Sequence, residues 1–183
     1  MITFHVPTDR KLLAAFGEVA LRHEHLNHIL RMTVKSLADL RPDQALDATA
    51  HDGSRQLRER IGKIARKRLG EGAPLLKLQA LLERCRRATD RRNELMHWIW
   101  AKKLDGEPIR LGPDHNSCPL PTLNDLKRLS SDIESLTTEL NIARRKGFLF
   151  EALMLRDAKR MNTRTSSKRM ATPQGEGSAP RQP

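Results

Sequence analysis

Apolar residues recur at intervals of three and four along most of this chain, which is the spacing of amphipathic α-helices. The first such run begins after Thr8 or Asp9, either of which could serve as the N-cap, and it ends at Arg41-Pro42. Its apolar positions are Leu12, Leu13, Phe16, Val19, Ala20, Leu26, Ile29, Leu30, Val34, Leu37 and Leu40. The pattern predicts one long first helix.

Two further helical segments follow a short polar stretch. Ser54 is suited to cap a second helix, which Gly70 and Gly72 end, and Pro74 stands near the first position of a Leu-rich third helix. The third helix leads into residues 91–98, Arg-Arg-Asn-Glu-Leu-Met-His-Trp. Thr89 or Asp90 could cap a separate fourth helix there, and a single kinked helix over 74–103 fits the pattern nearly as well.

Glycine and proline interrupt the helical pattern between residues 104 and 121, where segments 98–102 and 108–111 could form a small hairpin. A capping-box spacing at Thr122 then opens another amphipathic helix, and a short one follows over 148–155. The pattern therefore predicts an all-α protein, with a bundle of four long helices and a short accessory helix over residues 1–159. Residues 160–183 lack periodic apolar positions and are predicted to be a disordered basic tail.

The chain is strongly basic, with 34 Lys and Arg against 22 Asp and Glu and a net charge of +12. Such an excess favours polyanionic partners, of which RNA, DNA and anionic membrane surfaces are the main classes. The sequence contains neither an apolar run of 18 residues nor a signal-peptide pattern at its start, and only Cys85 and Cys118 carry thiols. These features predict a cytoplasmic protein without a membrane segment.

Arg92 and His97 supply the two kinds of group that metal-independent RNA cleavage requires. An imidazole exchanges protons near neutral pH, and a guanidinium binds phosphate oxygens in a bidentate fork. At about 100° per residue, Asn93 and His97 share a helix face, whereas Arg92 and His97 differ by roughly 140°. Arg92 could therefore lie in the first turn of a new helix, or its side chain could curl towards the Asn93 side. Arg91 is also in register with His97.

Arg92-Asn93-x-x-x-His97 resembles the Arg-x(4 to 6)-His signature of the HEPN superfamily (higher eukaryotes and prokaryotes nucleotide-binding domains). The order of helices over about residues 10 to 145 is similar to that family as well. The resemblance implies a HEPN-like fold and a metal-independent endoribonuclease without a cofactor, often a toxin or defence component. It also implies a homodimer whose two Arg/His pairs converge on one cleft, with a polar residue of the first helix, here Glu24, joining Arg92, Asn93 and His97.

Two other interpretations remain open. The first is a non-catalytic HEPN-like module that binds RNA or a nucleotide, and the second is a helical dimer whose partner is a protein such as a neutralising antitoxin. The near-match His23-Glu24-His25-Leu26-Asn27 lacks the second histidine of the zinc-protease motif, so its histidines are expected to be solvated or to pack between helices. The basic cluster 58–68 fits either a solvated face or a phosphate-facing surface. Trp98 and Trp100 are expected to pack against the bundle.

Overall fold

Helices dominate the computed structural model, which describes residues 2–4, 6–103, 106–113 and 116–170. The helices are α1 (Arg10–Ala38), α2 (Pro42–Ala48), α3 (Ser54–Leu69), α4 (Ala73–His97), α5 (Leu123–Arg145) and α6 (Phe148–Met170). This architecture confirms the all-α class. The seven-residue α2 was not predicted, because two helical turns are too short to show a periodic apolar pattern.

Several helix ends follow from local side-chain chemistry. Asp9 caps α1 by accepting the backbone N–H of Lys11 at 2.8 Å. At the start of α5, the Thr122 hydroxyl accepts the Asp125 N–H at 3.1 Å, and the Asp125 carboxylate accepts the Thr122 N–H at 2.9 Å. Both caps confirm the sequence prediction. The cap of α3 lies one residue earlier than predicted, at Gly53.

A single hydrophobic core holds the helices together, and the most extensive contact is between α1 and α5. Its fully buried side chains include Leu26, Leu30, Leu57, Leu78, Ile133 and Leu140. Burying a side chain of this size contributes about 1.5–3 kcal/mol relative to leaving it in water. The apolar stripes read from the sequence are therefore the surfaces that face one another.

A small antiparallel sheet lies against the end of α4. Its strands are β1 (Ile2–Phe4), β2 (Ile99–Lys103), β3 (Pro108–Leu111) and β4 (Ser117–Pro119), paired in that order. The pairing of β2 with β3 confirms the predicted hairpin, whereas β1 and β4 have only three residues each and were not predicted. Trp100 of β2 packs edge-on against Phe16 of α1, with ring centroids 4.8 Å apart, as expected for a bundle-packing side chain.

The C-terminal part of the prediction needs correction. The last helix does not end at Leu155, because α6 continues to Met170, so the predicted disorder is wrong for residues 160–170. Lys, Arg and Met are good helix formers, and extending an existing helix adds one hydrogen bond per residue without a new nucleation step. Arg68 of α3 also donates to both oxygens of Asp157, at 2.8 and 2.9 Å, which ties α6 to α3. The rest of the predicted tail, residues 171–183, lies outside the described residues.

Within the described part of the chain, none of the helices has an apolar stretch long enough to span a bilayer.

Candidate functional site

Polar side chains meet at one point where α1, α3 and α4 pack together. Each helix contributes two of them at a spacing of three or four, so that both members of a pair lie on the same helix face. We call this group the polar junction, and its members are His23, Asn27, Ser54, Arg58, Thr89 and Arg92. Hydrogen bonds join α1 to α3 through Asn27 and Ser54 at 2.5 Å, α1 to α4 through His23 and Thr89 at 3.2 Å, and α3 to α4 through Arg58 and Thr89 at 3.3 Å.

Thr89 lies at the centre of the polar junction and determines the state of His23. The Thr89 hydroxyl donates its only proton to the Cys85 carbonyl at 2.9 Å, so it accepts from its other neighbours. We infer that His23 Nε2 carries the proton and donates to Thr89, because two acceptors would not bind each other. Burial above all, and then the charge of Arg92, lowers the pKa of His23 to about 4. His23 is therefore neutral at pH 7.

The polar junction holds two guanidinium groups that have no carboxylate partner among the described residues. Arg58 is half-buried and donates to Thr89, and its burial lowers its pKa. Arg92 is also half-buried, and its Nη1 donates to Asn93 Oδ1 at 3.2 Å. The buried Nε of Arg92 has no hydrogen-bond partner in the described chain. Positive charge at the polar junction is thus left without a neutralising acid.

Asn93 connects the polar junction to a surface pocket of about 440 Å³ at the end of α4. Asn93 and His97 line this pocket from α4, and Trp98 and Gly112 line it from the sheet side. The ring of Trp98 lies so close to Gly112 that a Cβ there would approach it within 3.1 Å. His97 is the last residue of α4 and is exposed, so its imidazole is accessible to a large substrate.

The structure therefore brings some of the predicted site residues together and separates others. Arg92 contacts Asn93, and Asn93 shares a pocket with His97, but Arg92 does not line that pocket. Since α4 is continuous from Ala73 to His97, the alternative that placed Arg92 in the first turn of a new helix is wrong. Glu24 lies at the edge of the polar junction, where its Oε1 accepts from Asn27 at 3.1 Å and lies 4.0 Å from His23 Nδ1.

Sequence reasoning missed the roles of His23, Arg58 and Thr89. Helical spacing could have placed Thr89 on the face of Arg92, but the side chains opposite it depend on how three helices pack. His25 and His28 are exposed, as expected for solvated histidines. Among the described residues, no group of three His, Cys, Asp or Glu side chains is arranged to hold a metal ion.

Comparison with known proteins returned no match to any protein-family model, to any curated protein or to any solved structure.

Proposed function

We propose that this protein is a HEPN-like, metal-independent endoribonuclease whose site is built from Arg92, Asn93 and His97 of α4. The observation that supports the proposal is the position of Asn93, which accepts a hydrogen bond from Arg92 and lines the same pocket as His97. Asn93 thereby links a cation that has no acidic partner to an accessible imidazole. The net charge of +12 also favours an RNA substrate.

In the proposed reaction, the ribose 2′-hydroxyl attacks the adjacent phosphorus atom and the bond to the 5′-oxygen breaks. His97 takes the proton from the 2′-hydroxyl or supplies one to the departing 5′-oxygen, since imidazole can do either near neutral pH. Arg92 neutralises charge on the pentacoordinate phosphate. The products are a 2′,3′-cyclic phosphate and a free 5′-hydroxyl, and the reaction uses no metal ion.

A homodimer is part of the proposal. Arg92 and His97 differ by roughly 140° around one helix, so a single protomer presents them in different directions. Two facing protomers would supply two imidazoles, one as the base and one as the acid, together with two guanidinium groups. Glu24 borders the polar junction rather than the pocket, so its role would be to adjust the site through Asn27 and His23.

Cleavage of purified RNA in excess EDTA tests the proposal. The parent protein should produce 2′,3′-cyclic phosphate or 3′-phosphate ends and should spare a substrate with 2′-deoxyribose at the cut. His97→Ala and Arg92→Ala should each lose on the order of 10² in rate, which is typical for one acid–base group or one charge-stabilising donor. His28→Ala is the matched control, because His28 is an exposed histidine on a different helix.

Binding of RNA without cleavage is the second candidate. The separation of Arg92 from the pocket that holds His97 favours it, because one protomer does not present both groups to the same phosphate. If His97→Ala cleaves RNA as fast as the parent protein, the activity does not belong to this site. RNA binding that weakens with rising salt would then support the binding module.

A further inference from the structure

Arg58 of α3 and Arg92 of α4 are two positive groups that approach one buried side chain, His23 of α1. Arg58 is linked to His23 through the shared Thr89 hydroxyl, with contacts of 3.3 Å and 3.2 Å. Arg92 follows Thr89 by three residues and so lies on the same face of α4. The two guanidinium groups therefore belong to one cluster, although they are 34 positions apart in the sequence.

Neither of these two arginines forms an ion pair among the described residues, in contrast to many arginines of the surface. Arg55 on the same helix pairs with Glu59 at 2.9 Å, and Arg86 on α4 pairs with both Glu83 and Asp90. A half-buried cation has lost part of its hydration, so it gains more than an exposed one from a bound anion. The pair Arg58 and Arg92 thus has unused capacity for an anionic ligand.

The surroundings hold Arg58 in place without neutralising it. Thr89 cannot move freely, because its hydroxyl is bonded to the Cys85 carbonyl at 2.9 Å and to His23. His23 is buried, with 3% of its surface exposed, and is neutral at pH 7, so it adds no charge that would repel either arginine. The hydroxyl and the imidazole therefore orient Arg58 through its Nη1 and leave its other N–H groups available.

We propose that Arg58 and Arg92 together bind one phosphodiester group of the RNA backbone, with the buried pair His23 and Thr89 holding Arg58 in position. This inference rests on the proposed function and adds to it a second phosphate-binding residue from a different helix. Two guanidinium forks at one site match the several oxygens of a phosphate better than a single cation does. Arg58 acts here as a binding residue, and His23 and Thr89 act as positioning residues.

Fluorescence anisotropy with a labelled single-stranded RNA oligonucleotide tests the inference. All variants carry His97→Ala, so that binding is measured without cleavage. Arg58→Gln should weaken binding about 10- to 100-fold, the range of one charge-assisted contact, and should reduce the slope of log K against log salt by about 0.7. Arg58→Lys keeps the charge, so it should restore the slope but only part of the affinity.

Arg55→Gln is the matched control, since it removes the same charge from an exposed position one turn earlier on α3. It should change affinity much less than Arg58→Gln, and circular dichroism should show equal helix content for both. Equal losses from the two substitutions would overturn the inference, because the effect would then be one of overall charge. A DNA oligonucleotide of the same sequence should show the same loss with Arg58→Gln, and a loss confined to RNA would also overturn a phosphate contact.

These results separate the inference from the proposed function. If the parent protein fails to cleave RNA but the difference between Arg58→Gln and Arg55→Gln persists in binding, the phosphate site stands and the catalytic proposal fails. If His97→Ala abolishes cleavage while Arg58→Gln binds and cleaves as well as Arg55→Gln, the catalytic proposal stands and this site fails.

Discussion

The stability of the protein should fall between pH 7 and pH 5 because His23 is buried as a neutral imidazole. In the unfolded chain His23 has the ordinary pKa of about 6.5. In the folded protein, burial and then the charge of Arg92 lower that pKa to about 4. Between these two pH values the unfolded chain binds more protons than the native one, so the free energy of unfolding decreases as the pH falls.

The size of this effect follows from the two pKa values. The contribution is fully present above pH 6.5 and is lost as the pH falls through 4. Taking the folded pKa of about 4, proton linkage gives a loss of about 2 kcal/mol between pH 7 and pH 5 and about 3 kcal/mol by pH 4. The charged groups facing His23 are Arg58 of α3, Arg92 of α4 and Glu24 of its own helix. Both arginines keep their charge throughout this range.

Urea denaturation at several pH values between 7 and 5 measures the effect. His23→Gln keeps a side-chain N–H for Thr89 but does not titrate, so its unfolding free energy should depend less on pH than that of the parent, by about 2 kcal/mol over this range. His28→Gln removes an exposed histidine of the same helix and should keep the parent's slope. The reasoning is refuted if His23→Gln and the parent show the same pH dependence.

Two further predictions concern the thiols and the assembly. Burial raises the pKa of Cys85 to about 11, so a thiol reagent at pH 8 should modify the half-exposed Cys118 quickly and reach Cys85 only in denaturant. Two rapidly modified thiols per native chain would contradict the packing around Cys85. Light scattering at micromolar concentration should report about twice the chain mass of 20.8 kDa, and a strictly monomeric protein that cleaves RNA would exclude a site shared between protomers.

The long elements were predictable because their information is local. The apolar periodicity of α1, α3 and α5 and the caps at Asp9 and Thr122 depend on residues within a few turns. The site was predictable only along α4, where spacing places Asn93 with His97. Its remaining members were not, because the contacts of His23 and Arg58 with Thr89 join positions 66 and 31 residues apart, and periodicity carries no information on such pairs. The strands β1 and β4 lack a readable pattern because each has three residues.

The pairing of β1 with β2 also has a consequence for the timing of folding. Phe4 is opposite Ala101, and Thr3 is opposite Lys102, so this pairing joins positions 99 residues apart or nearly so. A growing chain cannot form it until the whole of α1 to α4 has been synthesised. At roughly 5–20 residues per second, β1 waits about 5–20 seconds for its partner strand. The sheet beside His97 is therefore completed after the helices on which it rests, and its closure is a late event in the maturation of the pocket.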